Sequence, residues 1–274
     1  MLEAKPVAGA LGAEIRGANL SSVLTQEFIS ELRELLNRYE VLFFRDQAVA
    51  AGDQRALGLA FGPLQSHPAY ATVEGFPEVT ILKSTSAMPT KIEMWHSDMT
   101  FLAHPPMATV LQCVTAPPTG GDTLWASATA AYEGLSQPMQ SLLDGLSAVH
   151  DFSYGFKESL AEEGGRERLA AAVEANPPIT HPVIRVHPET GKKVIFVNSL
   201  FTTHIRELPA KESASILSFL YEHMATPEYT VRFNWEPGCI ALWDNRSTQH
   251  RPINDYFPAT RCMHRVTVDG DKPY

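Results

Sequence analysis

The stretch VIRVHPETGKKVIFVN, residues 183–198, predicts a β-hairpin and decides the fold class. Two runs rich in β-branched residues flank a turn that contains Gly191, a residue type suited to tight turns. NWEPGCIALW, residues 234–243, has the same pattern and predicts a second hairpin. Because strands joined by turns outnumber strand–helix–strand units, we expect a mainly β protein with flanking helices. An antiparallel barrel or jelly roll is favoured over a doubly wound sheet.

Other segments place helices and strands around these hairpins. Apolar residues at helical spacing predict helices over residues 25–39, 53–61, 137–146 and 211–224. The β-type runs are EVTIL (78–82), MATVLQCVTA (107–116), DTLWAS (122–127), SAVHDF (147–152), YTVRFNW (229–235) and RCMHRVTV (261–268). Since no repeat or linker interrupts this order, residues 1–274 are expected to form a single domain.

One internal segment differs in composition from the rest. Residues 157–176 are polar and charged, and Gly164 and Gly165 separate two helical pieces. Such a segment is typical of a mobile loop that covers a site, so we expect a lid at 157–176.

Composition excludes several classes of partner. The 274 residues are 44% hydrophobic and carry a net charge of -9 without a basic run, which argues against nucleic acid and anionic membranes. Cys113, Cys239 and Cys262 form no CxxC pair, so free thiols in a reducing compartment are expected. No apolar segment reaches the length of a membrane span, and we expect a soluble cytoplasmic protein.

The run MWHSDMTF, residues 94–101, places His96 and Asp98 two residues apart in a strand-like, apolar segment. Alternate residues of a strand point to the same side, so the imidazole and the carboxylate would face one point. A buried carboxylate is costly unless a metal ion or a basic side chain pairs with it. The spacing is also compatible with an exposed strand end that forms a local hydrogen bond.

His250 is a third candidate ligand, in CIALWDNRSTQHR, where an apolar strand runs into a polar stretch that ends at this histidine. Two histidines and one carboxylate on one face of an ion are the ligand set of non-haem Fe(II) oxygenases, and they leave adjacent coordination positions open. The same three ligands with a bound water would serve zinc hydrolysis. The ligand set therefore does not name the reaction.

Two arginines on a later strand favour a site for anions. In RCMHRVTV, Arg261 and Arg265 are four residues apart and share one face, roughly 13 Å from each other at the usual rise. A guanidinium can hold a carboxylate or a sulfonate by two parallel hydrogen bonds. Without a metal motif before them, the same residues would be two surface arginines on an edge strand.

Five motifs in register resemble one family of enzymes. WHSDMTF, TGGDTLWAS, FVNSLFT, LWDNRSTQH and RCMHRVTV are similar in order and spacing to the taurine and 2,4-dichlorophenoxyacetate dioxygenases. The resemblance spans nearly the whole chain and is strongest to the taurine dioxygenase branch. It implies a double-stranded β-helix, a cupin-like jelly roll. It also implies Fe(II), with 2-oxoglutarate and O2 as co-substrates.

The resemblance also implies roles for individual residues. The iron ligands would be His96, Asp98 and His250. Thr123 and Arg261 match the positions that bind the distal carboxylate of 2-oxoglutarate. Residues at positions that contact the sulfonate or line the substrate pocket are His67, Arg265, Phe156 and Phe201.

Two positions depart from the taurine pattern. Ile92 stands where a taurine enzyme has an asparagine near the substrate amine, and Gly155 stands where it has a serine. An ammonium group would be poorly satisfied beside apolar residues. We therefore expect a small anionic substrate, a sulfonate or sulfate ester with a more apolar organic part, although taurine stays among the candidates.

Hydroxylation of the carbon next to the sulfonate or the ester oxygen would release sulfite or sulfate, an aldehyde, succinate and CO2. One alternative is the same chemistry on an aryloxyalkanoate or another small carboxylate. Another is a metal-dependent cupin that does not use oxygen. A homo-oligomer, either a dimer or a tetramer, is the expected assembly.

Overall fold

The computed structural model describes residues 2–66 and 70–274. Its strands are β1 (Glu3–Pro6), β2 (Ala13–Arg16), β3 (Val41–Phe44), β4 (Leu64–Gln65), β5 (Thr72–Val73), β6 (Phe76–Ser84), β7 (Ala108–Thr115), β8 (Thr123–Ser127), β9 (Ser147–His150), β10 (Ile179–Pro182), β11 (Ile184–Val186), β12 (Lys193–Ile195), β13 (Thr202–Ile205), β14 (Thr230–Phe233), β15 (Ile240–Asp244), β16 (Thr248–Pro252) and β17 (Arg261–Val268). Its α-helices are α1 (Gln26–Tyr39), α2 (Ala51–Phe61), α3 (Ala128–Glu133), α4 (Gln137–Leu143), α5 (Phe152–Gly155), α6 (Lys157–Ala161), α7 (Gly165–Ala175) and α8 (Ala210–Met224).

Two layers enclose the central core, and their strand pairs are antiparallel except for the parallel pair β2–β3. A nine-stranded sheet runs in the order β1-β2-β3-β15-β7-β17-β6-β5, with β4 paired to β17, and a three-stranded sheet runs in the order β14-β8-β16. Side chains from both sheets pack in one buried cluster, for example Phe43 of β3, Trp125 of β8 and Phe233 of β14. The predicted jelly roll with flanking helices is therefore confirmed.

Strands at the centre of the large sheet are buried on both faces. In β3, Val41 and Phe43 pack between the sheets, whereas Leu42 and Phe44 pack against α1 and α2 on the other side. This double burial explains why VLFF is a continuous apolar run and does not alternate with polar residues.

Helix α1 covers the outer face of the large sheet. Its N-cap, Thr25, accepts a hydrogen bond from the backbone N–H of Phe28, an interaction usually worth about 1 kcal/mol. Its buried residues are Ile29, Leu32 and Leu36, at the spacing from which the helix was predicted.

One of the two hairpin predictions is confirmed and the other is wrong. Strands β11 and β12 pair antiparallel, with Ile184 opposite Ile195. Strand β14, however, pairs with β8, whereas β15 pairs with β3 and β7. The EPG turn thus carries the chain from one sheet to the other, because the partners of both strands come from distant segments and not from each other. A local turn signal cannot distinguish a hairpin from such a corner.

The helices and the cysteines each show one further feature. Among the described residues, no helix combines the length and the apolar composition needed to cross a bilayer. Cys113, Cys239 and Cys262 are all free thiols.

Candidate active site

Backbone pairing brings two of the predicted metal ligands together. His96 and His250 form an isolated antiparallel bridge, in which each backbone N–H donates to the other residue's carbonyl at 3.0 and 2.7 Å. Their rings lie side by side, with centroids 4.1 Å apart. His250 belongs to β16, so its position is set by the three-stranded sheet.

The expectation of a strand through MWHSDMTF is wrong. Only His96 forms a bridge, and the chain turns at Asp98, where Met99 has a left-handed φ of 47°. Asn245 fixes this turn, because its side chain accepts from the backbone N–H of Asp98 at 2.7 Å and donates to the Asp98 carbonyl at 3.0 Å. The carboxylate therefore reaches the histidines through a turn and not through strand alternation.

The three side chains form a compact set of donor atoms. Oδ1 of Asp98 lies 3.9 Å from Nε2 of His96 and 4.0 Å from Nε2 of His250. One possible ligand atom from each residue lies within 4.8 Å of the others, and all three residues are buried. Nδ1 of His96 donates to the Met94 carbonyl at 2.9 Å, which leaves the lone pair on Nε2, toward Asp98. A single divalent ion fits this arrangement.

The protonation states of the three side chains favour the binding of a cation. Burial lowers the pKa of His96, and burial together with the neighbouring His96 lowers the pKa of His250 to about 3. Burial opposes ionisation of Asp98, but Arg265 and then the two histidines outweigh it, so its pKa lies below the usual value. At neutral pH the cluster offers two neutral imidazoles and one carboxylate, the protonation states that metal ligation requires.

Arg261 lies on the cavity wall beside Thr123. Its Nη2 donates to Oγ1 of Thr123 at 3.2 Å, and Trp235 donates to the same hydroxyl at 3.0 Å. Within the described residues, Arg261 has no carboxylate at ion-pair distance, and its buried Nε has no hydrogen-bond partner. Burial lowers its pKa. The guanidinium thus keeps a donor at Nε that no described residue uses.

The glycine pair of TGGDT shapes the approach to Arg261. Gly121 has a φ of 70°, and a Cβ there would lie 2.8 Å from Pro117 and 3.3 Å from the Arg261 side chain. Only glycine allows this close approach without strain. Asp122, next in the motif, accepts hydrogen bonds from Arg232 on β14 and from Asn234 directly after that strand, and so fixes the start of β8.

Arg265 is on the same face of β17 but has a different partner. Its Nη1 donates to Oδ1 of Asp98 at 3.1 Å, and the side chain is 9% exposed. Met263, between the two arginines at the same alternation, belongs to the core between the sheets. The prediction that both arginines share one face is confirmed.

A cavity of about 380 Å³ connects these groups. Its wall includes His96, His250, Thr123, Arg261 and Arg265. The apolar part of the wall contains Ile92, Met94, Phe156, Leu169 and Leu200. Asp98 lies directly behind Arg265.

The predicted aromatic positions occupy different depths. Phe156 is part of the cavity wall, whereas Phe201 is buried one layer behind it, with ring centroids 6.3 Å apart. In the wall itself the neighbouring Leu200 takes its place. A Cβ on Gly155 would lie 2.5 Å from the Phe201 ring, so the glycine permits this packing. His67, the second expected sulfonate contact, lies outside the described residues.

The outer rim of the cavity is charged. Helices α6 and α7, within the expected lid, contribute Lys157, Glu158 and Arg168 to the wall. Lys91, from the loop before the metal motif, forms an ion pair with Glu162 between these helices. Arg168 pairs with the same carboxylate at 3.0 Å. One acidic side chain thus joins two sides of the rim.

A jelly roll that gathers two histidines and a carboxylate around one point is the architecture of mononuclear Fe(II) oxygenases. The family model described as taurine catabolism dioxygenase TauD, TfdA family matches residues 3–267, and the chain belongs to this family. It is an oxidoreductase that uses Fe(II), 2-oxoglutarate and O2.

Several characterised relatives match over almost their whole length. An alpha-ketoglutarate-dependent sulfate ester dioxygenase of Pseudomonas putida is 36% identical over 280 residues, covering 99% of this chain and 91% of the relative. An alkylsulfatase of Acinetobacter baylyi is 34% identical, covering 98% and 86%. A crystal structure of a taurine dioxygenase from Burkholderia xenovorans has a TM-score of 0.85 at 36% identity, covering 99% and 90%.

Sequence reasoning missed some residues that shape the site. Asn245 lies inside the motif LWDNRSTQH, and this position could have marked it as a residue of the site. Thr109 on β7 donates to Oδ2 of Asp98 at 3.1 Å, but nothing in its local sequence marks it. Tyr70 and Lys91 line the cavity from loops without a recognisable pattern.

Proposed function

We propose that His96, Asp98 and His250 hold the Fe(II) ion and that Arg261, with Thr123, holds the distal carboxylate of 2-oxoglutarate. The convergence of the three ligand atoms supports the first assignment. The unpaired, buried guanidinium edge of Arg261 supports the second. Bound iron with 2-oxoglutarate and O2 supplies the oxidation of a C–H bond, with succinate and CO2 as co-products.

We further propose that the substrate is a sulfate ester or a sulfonate with an apolar organic part. Its anionic group would bind Arg265, so that the adjacent carbon lies next to the metal site. The observation that carries this proposal is the apolar part of the cavity wall, where the side chains of Ile92, Met94 and Leu200 offer no acceptor for an ammonium group. The named activities of the Pseudomonas and Acinetobacter relatives agree with it.

Hydroxylation of that carbon leads to release of the anion. The carbon would carry a hydroxyl beside the sulfate oxygen or the sulfonate sulfur, and collapse to an aldehyde breaks the bond to that atom. Sulfate or sulfite leaves, and the protein's task is to fix which carbon faces the metal. Packing of Phe156 and Leu169 around the organic part would exclude water from this position.

A product screen tests the substrate class. Hexyl sulfate, hexanesulfonate, taurine and phenoxyacetate are each incubated with Fe(II), 2-oxoglutarate and O2, and succinate, sulfate and sulfite are measured. We expect succinate coupled to sulfate or sulfite with the hexyl compounds, and much less turnover with taurine. Coupled turnover with phenoxyacetate alone would favour a small carboxylate, which an arginine binds equally well.

The two arginines are separated by kinetics. Arg261→Ala should raise KM for 2-oxoglutarate roughly 10- to 100-fold, the usual effect of losing hydrogen bonds to a charged group. Arg265→Ala should act mainly on KM of the organic anion. The reverse pattern would show that their roles are exchanged.

We also propose that residues 157–176 act as a lid over a single-domain enzyme. The contacts of Glu162 with Lys91 and Arg168 across the rim support this role. Protection of α6 and α7 from hydrogen exchange should increase when 2-oxoglutarate and hexyl sulfate are both bound. Equal exchange with and without ligands would contradict a lid.

A cytoplasmic location and a homo-oligomeric assembly, dimer or tetramer, complete the proposal. The three free thiols suit a reducing compartment. Light scattering of the purified protein tests the assembly, and fractionation of the source cells tests the compartment.

A further inference from the structure

One oxygen atom of Asp98 faces both the metal site and an arginine. Oδ1 lies 3.9 and 4.0 Å from the Nε2 atoms of His96 and His250, and it accepts a hydrogen bond from Nη1 of Arg265 at 3.1 Å. The other oxygen, Oδ2, is occupied by the hydroxyl of Thr109. The carboxylate oxygen best placed for a metal ion is therefore the one that Arg265 holds.

Arg265 also faces the cavity. It is part of the cavity wall, and its buried Nε has no hydrogen-bond partner within the described residues. The Tyr70 ring lies 5.6 Å from the guanidinium carbon. One edge of the guanidinium is thus committed to Asp98, while Nε is available to an anion.

Electrostatics links the two contacts. A divalent cation bound by Asp98 would lie close to the positive guanidinium, and the single charge of Asp98 would have to serve both. Such like-charge repulsion is weakly screened at a buried site. An anion on Arg265 would offset the repulsion, so the metal and the anion should stabilise each other's binding.

We propose that Arg265 couples the anion site to the metal site, so that a bound substrate anion raises the affinity of the His96–Asp98–His250 cluster for its metal. The inference rests on the proposed function, because it assumes that the substrate anion binds Arg265. Thermodynamic linkage requires that the metal raises the affinity for the anion by the same factor. Iron would then be held most tightly when substrate is present.

Arg261 provides the contrast on the same strand. Its hydrogen bonds reach Thr123 and no metal ligand. An anion that binds Arg261 alone has no direct contact through which to change the charge at Asp98. The coupling should therefore depend on Arg265 and not on positive charge in the cavity as such.

The test measures Mn(II) binding calorimetrically in the purified full-length protein, with and without saturating hexyl sulfate and without 2-oxoglutarate. In the wild type we expect hexyl sulfate to tighten Mn(II) binding by roughly tenfold, within the usual range of coupling between sites. Hexyl sulfate affinity measured with and without Mn(II) should change by the same factor. This reciprocal measurement needs no variant and is independent of turnover.

Variants locate the coupling. Arg265→Gln should bind Mn(II) at least as tightly as the wild type does without anion, and hexyl sulfate should then have no effect. Arg265→Lys keeps the charge and should keep the weaker Mn(II) affinity of the anion-free wild type. Lys83→Gln removes another cation of the cavity wall and should leave the coupling intact.

Two negative results have different meanings. If hexyl sulfate binds the wild type but leaves its Mn(II) affinity unchanged, the coupling is wrong and the proposed function stands. If hexyl sulfate does not bind the protein at all, with or without metal, the proposed substrate class fails, and the coupling fails with it. Coupling that persists in Arg265→Gln would also overturn the inference.

Discussion

Two buried clusters in this protein combine an aspartate, histidine and arginine, and they differ in hydrogen-bond saturation. Asp244, at the end of β15, accepts from Arg246 at both oxygens, with Nε at 2.9 Å and Nη2 at 2.6 Å, and from Nε2 of His187 at 3.0 Å. In the Asp98 cluster, both histidine Nε2 atoms point to the carboxylate from 3.9 and 4.0 Å, beyond hydrogen-bond distance.

In the Asp244 cluster the side-chain donors and acceptors are engaged by neighbouring residues; we call this cluster closed and the Asp98 cluster open. Nδ1 of His187 accepts from the backbone N–H groups of Glu189 and Thr190, and Arg246 also binds Glu189 at 2.8 Å. It therefore fixes the β11–β12 turn to the end of β15. The same side-chain chemistry is structural where all donors and acceptors are satisfied. Where the lone pairs of such side chains converge beside a cavity, the same chemistry can bind a ligand.

The strongest expected effect is on the open cluster. Asp98→Ala should abolish metal binding and reduce turnover more than about 100-fold, because two histidines alone hold a divalent ion weakly. Stability should fall modestly, since Arg265 keeps access to the cavity. Calorimetry with Mn(II) and a succinate assay check this, with Thr109→Val as the matched control for loss of one hydrogen bond to Asp98. Metal affinity equal to the wild type in Asp98→Ala would remove Asp98 from the ligand set.

The closed cluster should show the opposite pattern. Asp244→Ala leaves the buried Arg246 with Glu189 as its remaining carboxylate partner, and removing one member of a buried ion pair costs about 3 to 5 kcal/mol of unfolding free energy. Urea denaturation measures the loss. Metal affinity of the folded fraction should stay within about twofold of the wild type. A stable variant that loses metal binding would show that the two clusters are not independent.

Glu40 sharpens the comparison, because it is a buried carboxylate close to Asp244 that forms no ion pair within the described part of the chain. Burial raises its pKa to about 7, and hydrogen bonds from Ser127 and Thr129 offset this only in part. Its folded-state pKa exceeds the ordinary value of 4.5, so its contribution to stability is present below pH 4.5 and is lost as the pH rises toward 7.

The size of this loss follows from the pKa difference and is about 3 kcal/mol. Glu40→Gln should remove this part of the pH dependence, so that its unfolding free energy falls less than that of the wild type between pH 4.5 and 7. Urea denaturation at several pH values provides the measurement. Parallel pH profiles for the two proteins would contradict a raised pKa at Glu40.

The exposed rim should respond least. Glu162→Gln removes the partner of Lys91 and Arg168 but leaves all three positions in solvent, where ion pairs are weak. We expect KM for the organic substrate to change by less than about fivefold, with a smaller effect in high salt. A large change in turnover would show that Glu162 controls closure of the rim. Glu167→Gln, on the neighbouring helix α7, is the control.

Motifs and apolar periodicity predicted much of the fold and site. Helix α1 and strand β17 follow from patterns that their own residues carry, and the same alternation put Arg261 and Arg265 on one face. The corner at EPG and the turn at Asp98 were mispredicted, because each depends on partners distant in the chain. For Asp98 the decisive partner is Asn245, whose hydrogen bonds hold the turn.

The sequence by itself determined the jelly roll, the candidate ligand types and the presence of two arginines on one face of a strand, since strand patterns and side-chain chemistry are local properties. Only the tertiary structure decided which carboxylate is open and which is closed. His, Asp and Arg side chains meet in both the Asp98 and the Asp244 cluster, so the residue types alone do not distinguish the two. Hydrogen-bond saturation is a property of groups brought together from separate strands, and no single segment contains it.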